Sequence, residues 1–157
     1  VKIVRTMPNI GVQVGKGLTG WIASEEVEQM ERSEIIRFLK TLGEEVEVKD
    51  EEQLNAITAL SGSGPAYHLY FCELMAKKAI EMGFSKEDAD RIAQYTFTGT
   101  AKTLGEGMKG CEELRKSVTS KGGTTEAALK ILMSDEFSNI LNEAVDQAYK
   151  RSKELSQ

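Results

Sequence analysis

The sequence predicts a mainly α-helical fold that is preceded by a few strands. From residue 50 onward, apolar residues recur three and four positions apart, which is the spacing of amphipathic helices. Before residue 50, short runs rich in Val and Ile are separated by Gly, Pro and Asn, as is typical of strands joined by turns. A few strands make a poor sheet alone, so we expect residues 1–49 to be the end of a larger α/β domain.

Residues 1–49 are predicted to contain short strands and one helix. The predicted strands cover residues 1–5, 12–14, 18–23 and 44–48. Pro8 disfavours helical backbone at the residue before it and Asn9 favours a turn, so a turn is expected after the first strand. Ser24 is a candidate N-cap for the helix, which is expected to end at Gly43.

Residues 50–157 are predicted to be helical, apart from turns. Asp50 and Ser85 are candidate N-caps, and Ser85 begins a Ser-x-x-Asp box. The segment from Ser61 to Pro65 interrupts the helical pattern, and proline suits the first position of the next helix. The apolar stripes are wide, which favours a bundle that also dimerises, although the core of a monomeric bundle explains most of the same residues.

The segment SKGGTTEAAL, residues 120–129, predicts a glycine turn that leads directly into a helix. Two adjacent glycines permit backbone angles that other residues avoid. The hydroxyls of Thr124 and Thr125 are candidate caps, and Glu126 suits the first helical turn. The N–H groups at such a helix start can bind a carboxylate or a phosphate. An ordinary capped helix start has the same residues, so both interpretations stay open at this point.

Composition excludes several classes of protein. The length of 157 residues suits a substantial core, while the net charge of −5 argues against a nucleic-acid partner. No apolar run approaches the roughly 18 residues of a membrane span. His68 is the single histidine, and Cys72 and Cys111 lack metal-ligand spacing, so neither a metal site nor a Ser-His-Asp triad is expected. Two lone thiols favour a reducing, cytoplasmic location.

A complete dinucleotide site is not expected in this chain. The pyrophosphate of such a cofactor normally rests on a G-x-G-x-x-G turn between a strand and a helix. The nearest glycine-rich stretch is residues 62–65, which joins two predicted helices and follows no strand.

Three blocks of sequence resemble the pyrroline-5-carboxylate reductase family. Residues 118–129, VTSKGGTTEAAL, are similar to the family's signature; residues 60–67, LSGSGPAY, resemble a second block; and residues 5–9, RTMPN, resemble a third. The blocks occur in the family's order, and the resemblance covers the whole chain. Departures are small: Met133 stands where the family usually has a polar residue, and Gly110 and Cys111 replace a more typical Pro, Ala or Leu.

The resemblance implies a two-domain oxidoreductase of proline biosynthesis. It implies that residues 1–49 are the last strands and helix of a truncated Rossmann domain that binds NADPH or NADH. Residues 50–157 would be an all-helical substrate-binding and dimerisation domain of the 6-phosphogluconate-dehydrogenase C-terminal-like type. The family's reaction transfers a hydride to the C=N bond of 1-pyrroline-5-carboxylate and gives L-proline. A homodimer, or a higher oligomer, is implied, with neither nucleic acid nor membrane as partner.

The resemblance also assigns roles to particular residues. Thr125 is the implied catalytic residue, because its hydroxyl would lie near the ring nitrogen. The implied substrate-binding residues are Ser120, Gly122, Gly123, Thr124 and Thr125, which would hold the substrate carboxylate mainly through backbone N–H groups. The implied cofactor-binding residues, on the nicotinamide side, are Met7, Pro8, Asn9, Ser61, Gly62, Ser63 and Gly64.

Two other interpretations stay open on the sequence. The chain is expected to be inactive alone, since the pyrophosphate site lies outside it, and it then behaves as a non-catalytic dimerisation or carboxylate-binding module. Alternatively, it belongs to a related enzyme with a Rossmann domain and a helical dimer domain that acts on another imine or hydroxy acid. The paired threonines after the double glycine favour the imine acid.

Overall fold

The computed structural model describes residues 1–107 and 110–156. The chain consists of two compact units, Val1–Tyr67 with Asn142–Gln157, and His68–Leu141. The predicted fold class, mainly helical with a small N-terminal sheet, is confirmed. The predicted boundary between residues 49 and 50 concerns the two parent domains of a longer protein and stays a prediction.

The described residues form three strands and seven α-helices. The strands are β1 (Val4–Pro8), β2 (Gly17–Ala23) and β3 (Gly43–Glu47). The helices are α1 (Gln29–Leu39), α2 (Glu51–Ile57), α3 (Gly64–Glu81), α4 (Lys86–Glu106), α5 (Cys111–Ser117), α6 (Thr124–Leu132) and α7 (Asp135–Leu155). A 3₁₀ helix covers Ile10–Val14, and a π-helical turn covers Thr58–Gly62. Within the described ranges, no helix is both long enough and apolar enough to cross a membrane.

The sheet of the first unit is built around β2. This strand pairs with β1 in antiparallel and with β3 in parallel orientation. Trp21 on β2 is completely buried, and its indole N–H donates a hydrogen bond of 2.8 Å to the carboxylate of Glu45. Apolar residues from the helices and loops of the same unit are also buried: Val27, Leu39, Val48, Leu54 and Ala59. The buried indole of Trp21 anchors this core, because its apolar rings are removed from water while its N–H keeps a hydrogen-bond acceptor.

The predicted strand at residues 12–14 is wrong, because this segment lies in the 3₁₀ helix. The side-chain oxygen of Asn9 accepts a hydrogen bond of 3.0 Å from the N–H of Gly11 and so caps the turn. Gly15 then ends it in a left-handed conformation, with φ of 66°. The antiparallel partner of β2 is therefore β1, which begins later than expected and runs through Pro8.

Ser24 does not cap α1, contrary to expectation. The helix begins four residues later, with Glu28 as its N-cap, and the carboxylate of Glu31 accepts from the Glu28 N–H at 2.9 Å. The Ser24 hydroxyl instead accepts from the N–H of Ile3 at 3.2 Å. The backbone N–H of Ile3 thus competes with the N–H groups of the helix for the Ser24 hydroxyl, so Ser24 does not act as the N-cap.

The N-caps predicted at Asp50 and Ser85 are confirmed. Asp50 accepts from the N–H of Gln53 at 2.8 Å, at the start of α2. Ser85 accepts from the N–H of Asp88 at 3.1 Å, at the start of α4. In both cases the side chain satisfies one of the N–H groups that a helix start leaves without an internal acceptor.

The end of α7 is attached to α2 by a buried polar cluster. The side-chain oxygen of Asn55 accepts from the hydroxyls of Ser152, at 2.7 Å, and Ser156, at 2.9 Å. Asn55 and Ser152 are both buried. An exposed ion pair between Lys153 and Glu52, at 2.7 Å, lies beside them. Buried hydrogen bonds are costly to break, so this cluster holds the end of α7 against α2 within the first unit.

We predict that Asn55→Ala lowers the free energy of unfolding by about 1–3 kcal/mol, because it leaves the buried Ser152 hydroxyl without its acceptor. The matched control is Glu52→Gln, which removes only an exposed ion pair and should cost at most about 1 kcal/mol. Chemical denaturation followed by circular dichroism measures both. Equal effects of the two variants would show that the polar cluster contributes no more than the surface pair.

Candidate functional site

Two of the three sequence blocks meet in the first unit, around Asn9. Asn9 directly follows β1, and Ser61 lies in the π-helical turn after α2. The amide nitrogen of Asn9 donates a hydrogen bond of 3.0 Å to the Ser61 hydroxyl. The fold therefore joins residues 52 positions apart, which the resemblance assigns to the same side of a cofactor.

The other hydrogen bonds of Asn9 fix its orientation. Its carboxamide oxygen accepts from the N–H of Gly11 at 3.0 Å and from the N–H of Leu18 at 3.3 Å. Both acceptor positions are thereby used, and one of the two amide hydrogens goes to Ser61. Among the described residues, the second amide hydrogen has no acceptor. One oriented donor is thus left for a ligand or a water molecule.

The π-helical turn places Gly62 against β1. The N–H of Ser63 bonds to the carbonyl of Thr58 at 2.9 Å, which is the five-residue spacing of a π-helix. A Cβ atom on Gly62 would lie 2.6 Å from Cε of Met7, so glycine permits this approach. Turns of the π-helical type are rare in proteins, and those that occur often lie at functional sites. The sequence predicted only an interruption between two helices here.

The remaining cofactor-side residues lie beside this turn. Pro8 ends β1 opposite Thr19 of β2, Ser63 follows the π-helical turn, and Gly64 is the buried first residue of α3. Every residue that the resemblance assigns to the cofactor therefore lies in the first unit.

The glycine turn of the second unit has the conformation that its sequence predicts. Gly122 has φ of 74°, which an L side chain rarely adopts. Gly123 is the N-cap of α6, and a Cβ atom there would lie 2.5 Å from the Ser120 hydroxyl oxygen. A side chain at either glycine would therefore disturb the turn.

The predicted capping by Thr124 or Thr125 is wrong. Both threonines lie within α6, after an N-cap glycine that makes no side-chain bond. Glu126 supplies the missing acceptor: its Oε2 accepts from the N–H of Gly122 at 2.9 Å. A glutamate at the third helical position is long enough to reach back, as in a capping box. The acidic residue four positions after Gly122, and three after the N-cap Gly123, was the available signal for this contact.

The N–H groups of the turn are not equally available. The N–H of Gly123 donates to the Ser120 carbonyl at 3.1 Å, and that of Gly122 donates to Glu126. Both N–H groups therefore have an acceptor within the turn, and the role that the resemblance implies for Gly123 stays a prediction. For the N–H groups of Thr124 and Thr125, the described part of the chain offers no acceptor.

The hydroxyls of the two turn threonines differ from those of most other threonines in the described helices. Four threonines inside helices donate to the carbonyl four residues earlier, at 2.8 to 3.0 Å: Thr58, Thr98, Thr100 and Thr103. The hydroxyls of Thr124 and the half-buried Thr125 have no such bond to any described residue. The first turn of α6 thus offers backbone N–H groups and hydroxyls together.

A family model described as pyrroline-5-carboxylate reductase dimerisation matches residues 51–155. The chain is 37% identical to the pyrroline-5-carboxylate reductase of Haemophilus influenzae, over 98% of this chain and 57% of that protein. It is 36% identical to pyrroline-5-carboxylate reductase 2 of Bacillus subtilis, over 99% of this chain and 55% of that protein. The chain thus spans a little over half the length of these relatives.

Solved structures give the same result. A pyrroline-5-carboxylate reductase from Coxiella burnetii matches with a TM-score of 0.92 and 37% identity, over 99% of this chain and 58% of that one. The Plasmodium falciparum pyrroline carboxylate reductase with NADP bound matches with a TM-score of 0.83 and 26% identity, over 99% of this chain and 62% of that one. These likenesses and the family model confirm the resemblance seen in the sequence blocks: the chain belongs to the pyrroline-5-carboxylate reductase dimerisation family.

Proposed function

We propose that the chain is the substrate-binding and dimerisation part of a pyrroline-5-carboxylate reductase, with residues 1–49 as the end of its cofactor-binding domain. Family membership and the names of the relatives support this activity. The observation that carries the proposal is the first turn of α6, where the N–H groups of Thr124 and Thr125 have no acceptor within the described chain.

The substrate carboxylate binds to the N–H groups of Thr124 and Thr125. These donors lie at the positive end of the α6 dipole, which favours an anion. The Ser120 hydroxyl adds a third donor from the preceding turn. Gly122 and Gly123 contribute through their conformation rather than as donors, since their own N–H groups are already bonded.

The Thr125 hydroxyl orients the ring nitrogen of the substrate. It lies in the same helical turn as the carboxylate donors. In the substrate the ring nitrogen is bonded to the carbon that carries the carboxylate, so the start of α6 contacts both groups. Positioning of this kind lowers a barrier by on the order of 7 kcal/mol or more in ideal cases. The turn contains no histidine, and solvent supplies the proton that the nitrogen takes up.

The cofactor side is formed by the cluster around Asn9. The remaining amide hydrogen of Asn9 and the Ser61 hydroxyl are polar groups that fit a nicotinamide carboxamide, and Gly62 lies beside them. When bound, the reduced nicotinamide supplies a hydride, with its two electrons, to the carbon of the C=N bond. With the proton on nitrogen, the product is L-proline. Both NADPH and NADH are compatible with these residues.

The helices pair with those of a second copy of the chain. Large apolar side chains in the second unit are exposed in the single chain. Large exposed apolar patches mark interaction sites. On α3 and α4 they include Leu69, Tyr70, Phe71, Leu74, Met75, Ile92 and Tyr95, and on α7 Phe137, Ile140 and Leu141. The description of the matched family as a dimerisation domain supports a homodimer.

The experiment that tests the activity compares this chain with the native gene product that contains it. Both are assayed for oxidation of NADPH and NADH with 1-pyrroline-5-carboxylate. We expect turnover by the native product and none by this chain, because the pyrophosphate turn is absent from its sequence. A native product that has such a turn and binds the cofactor but does not reduce the imine would contradict the proposal.

We predict that Thr125→Val in the native gene product lowers kcat/KM for the imine substrate about ten- to a hundred-fold, the loss expected for a hydrogen bond to a charged group. Cofactor affinity should stay unchanged, since Thr125 lies on the substrate side. Thr98→Val is the matched control, because it removes a helical threonine hydroxyl bonded only within its own helix. A large loss of cofactor affinity in Thr125→Val would show that Thr125 is wrongly placed.

A further inference from the structure

The Glu126 side chain connects the glycine turn to the helix that follows it. Its carboxylate accepts the hydrogen bond from the Gly122 N–H at 2.9 Å, and this bond spans the N-cap residue Gly123. Apart from Gly122 and its two neighbours in sequence, no atom of the described residues lies within 4 Å of the position that a Cβ on Gly122 would occupy. Side-chain packing therefore does not hold Gly122 at its φ of 74°. Two hydrogen bonds constrain it: the turn bond from the Gly123 N–H to the Ser120 carbonyl and the bond from its own N–H to Glu126.

We propose that Glu126 is a positioning residue for the carboxylate site. By holding Gly122, it keeps the turn in the conformation that leaves the N–H groups of Thr124 and Thr125 as the donors offered to the ligand. The inference rests on the proposed function, because it requires a substrate carboxylate at the start of α6.

The charge of Glu126 acts in the opposite direction to its hydrogen bond. A carboxylate in the first turn of a helix is stabilised by the same dipole that attracts a bound anion. Two like charges at one helix end repel each other. Glu126 thus organises the site through its oxygen and weakens anion binding through its charge, and the two effects can be separated by substitution.

Glu126→Gln and Glu126→Ala separate these effects. Glutamine keeps an acceptor oxygen at the same reach and removes the charge, whereas alanine removes both. We expect Glu126→Gln to bind L-proline about two- to five-fold more tightly than the unsubstituted chain. Glu126→Ala should bind it about five-fold or more weakly than Glu126→Gln, because the turn loses its tether. Isothermal titration with L-proline measures both affinities.

Two further readouts distinguish positioning from general stability. The amide resonance of Gly122 should stay near its original position in Glu126→Gln and move in Glu126→Ala. Glu87→Gln is the matched control, since Glu87 also lies in the first turn of a helix, α4, and should leave L-proline affinity unchanged.

The outcomes separate this inference from the function on which it rests. Equal affinities of Glu126→Gln and Glu126→Ala, with normal L-proline binding by the unsubstituted chain, would overturn the positioning role alone. Failure of L-proline to bind the unsubstituted chain or to perturb the amides of Thr124 and Thr125 would overturn the proposed function, and the positioning role with it.

Discussion

The start of α6 has more backbone N–H donors than the described residues offer acceptors for, and the candidate site follows from this imbalance. Every helix leaves its first N–H groups without internal acceptors, but here the N-cap is a glycine with no side chain to help. Glu126 and the Ser120 carbonyl take the donors of Gly122 and Gly123. The N–H groups of Thr124 and Thr125 have no acceptor among the described residues, and this supports the proposed carboxylate site.

In the first unit, the arrangement of residues around Asn9 depends on the orientation of the Asn9 side-chain amide. Asn9 caps the 3₁₀ helix, accepts from the β2 backbone and donates to Ser61. Its position is set by β1, which pairs with the strand carrying the buried Trp21. The polar attachment of α7 to Asn55 holds α2, from which the π-helical turn continues. The strands and α2 thus hold together the two sequence blocks that the resemblance assigns to the cofactor.

Hydrogen bonds between residues close in sequence were predictable. Contacts for which a side chain has a second possible partner far along the chain were not. The N-caps Asp50 and Ser85 follow from residues three positions apart, which sequence displays directly. Ser24 has the same capping chemistry, yet it bonds Ile3, 21 positions away, and the sequence does not reveal that competitor. The approach of Met7 to Gly62 in the π-helical turn is likewise a contact between residues far apart in sequence. At the glycine turn, the residue types left open both an anion site and an ordinary capped helix start. Which N–H groups have an acceptor within the turn depends on where the Glu126 carboxylate reaches, and the sequence does not show this.

The measurement that tests the central claim most directly is a titration of the amide resonances of this chain, labelled with ¹⁵N-threonine, with L-proline and with L-prolinamide. The two ligands share a ring and a ring nitrogen, and only L-proline carries a carboxylate. The account predicts that L-proline shifts the amide signals of Thr124 and Thr125 more than those of Thr98, Thr100 and Thr103, and that L-prolinamide does not. Equal responses to both ligands, or L-proline shifts confined to other threonines, would contradict it.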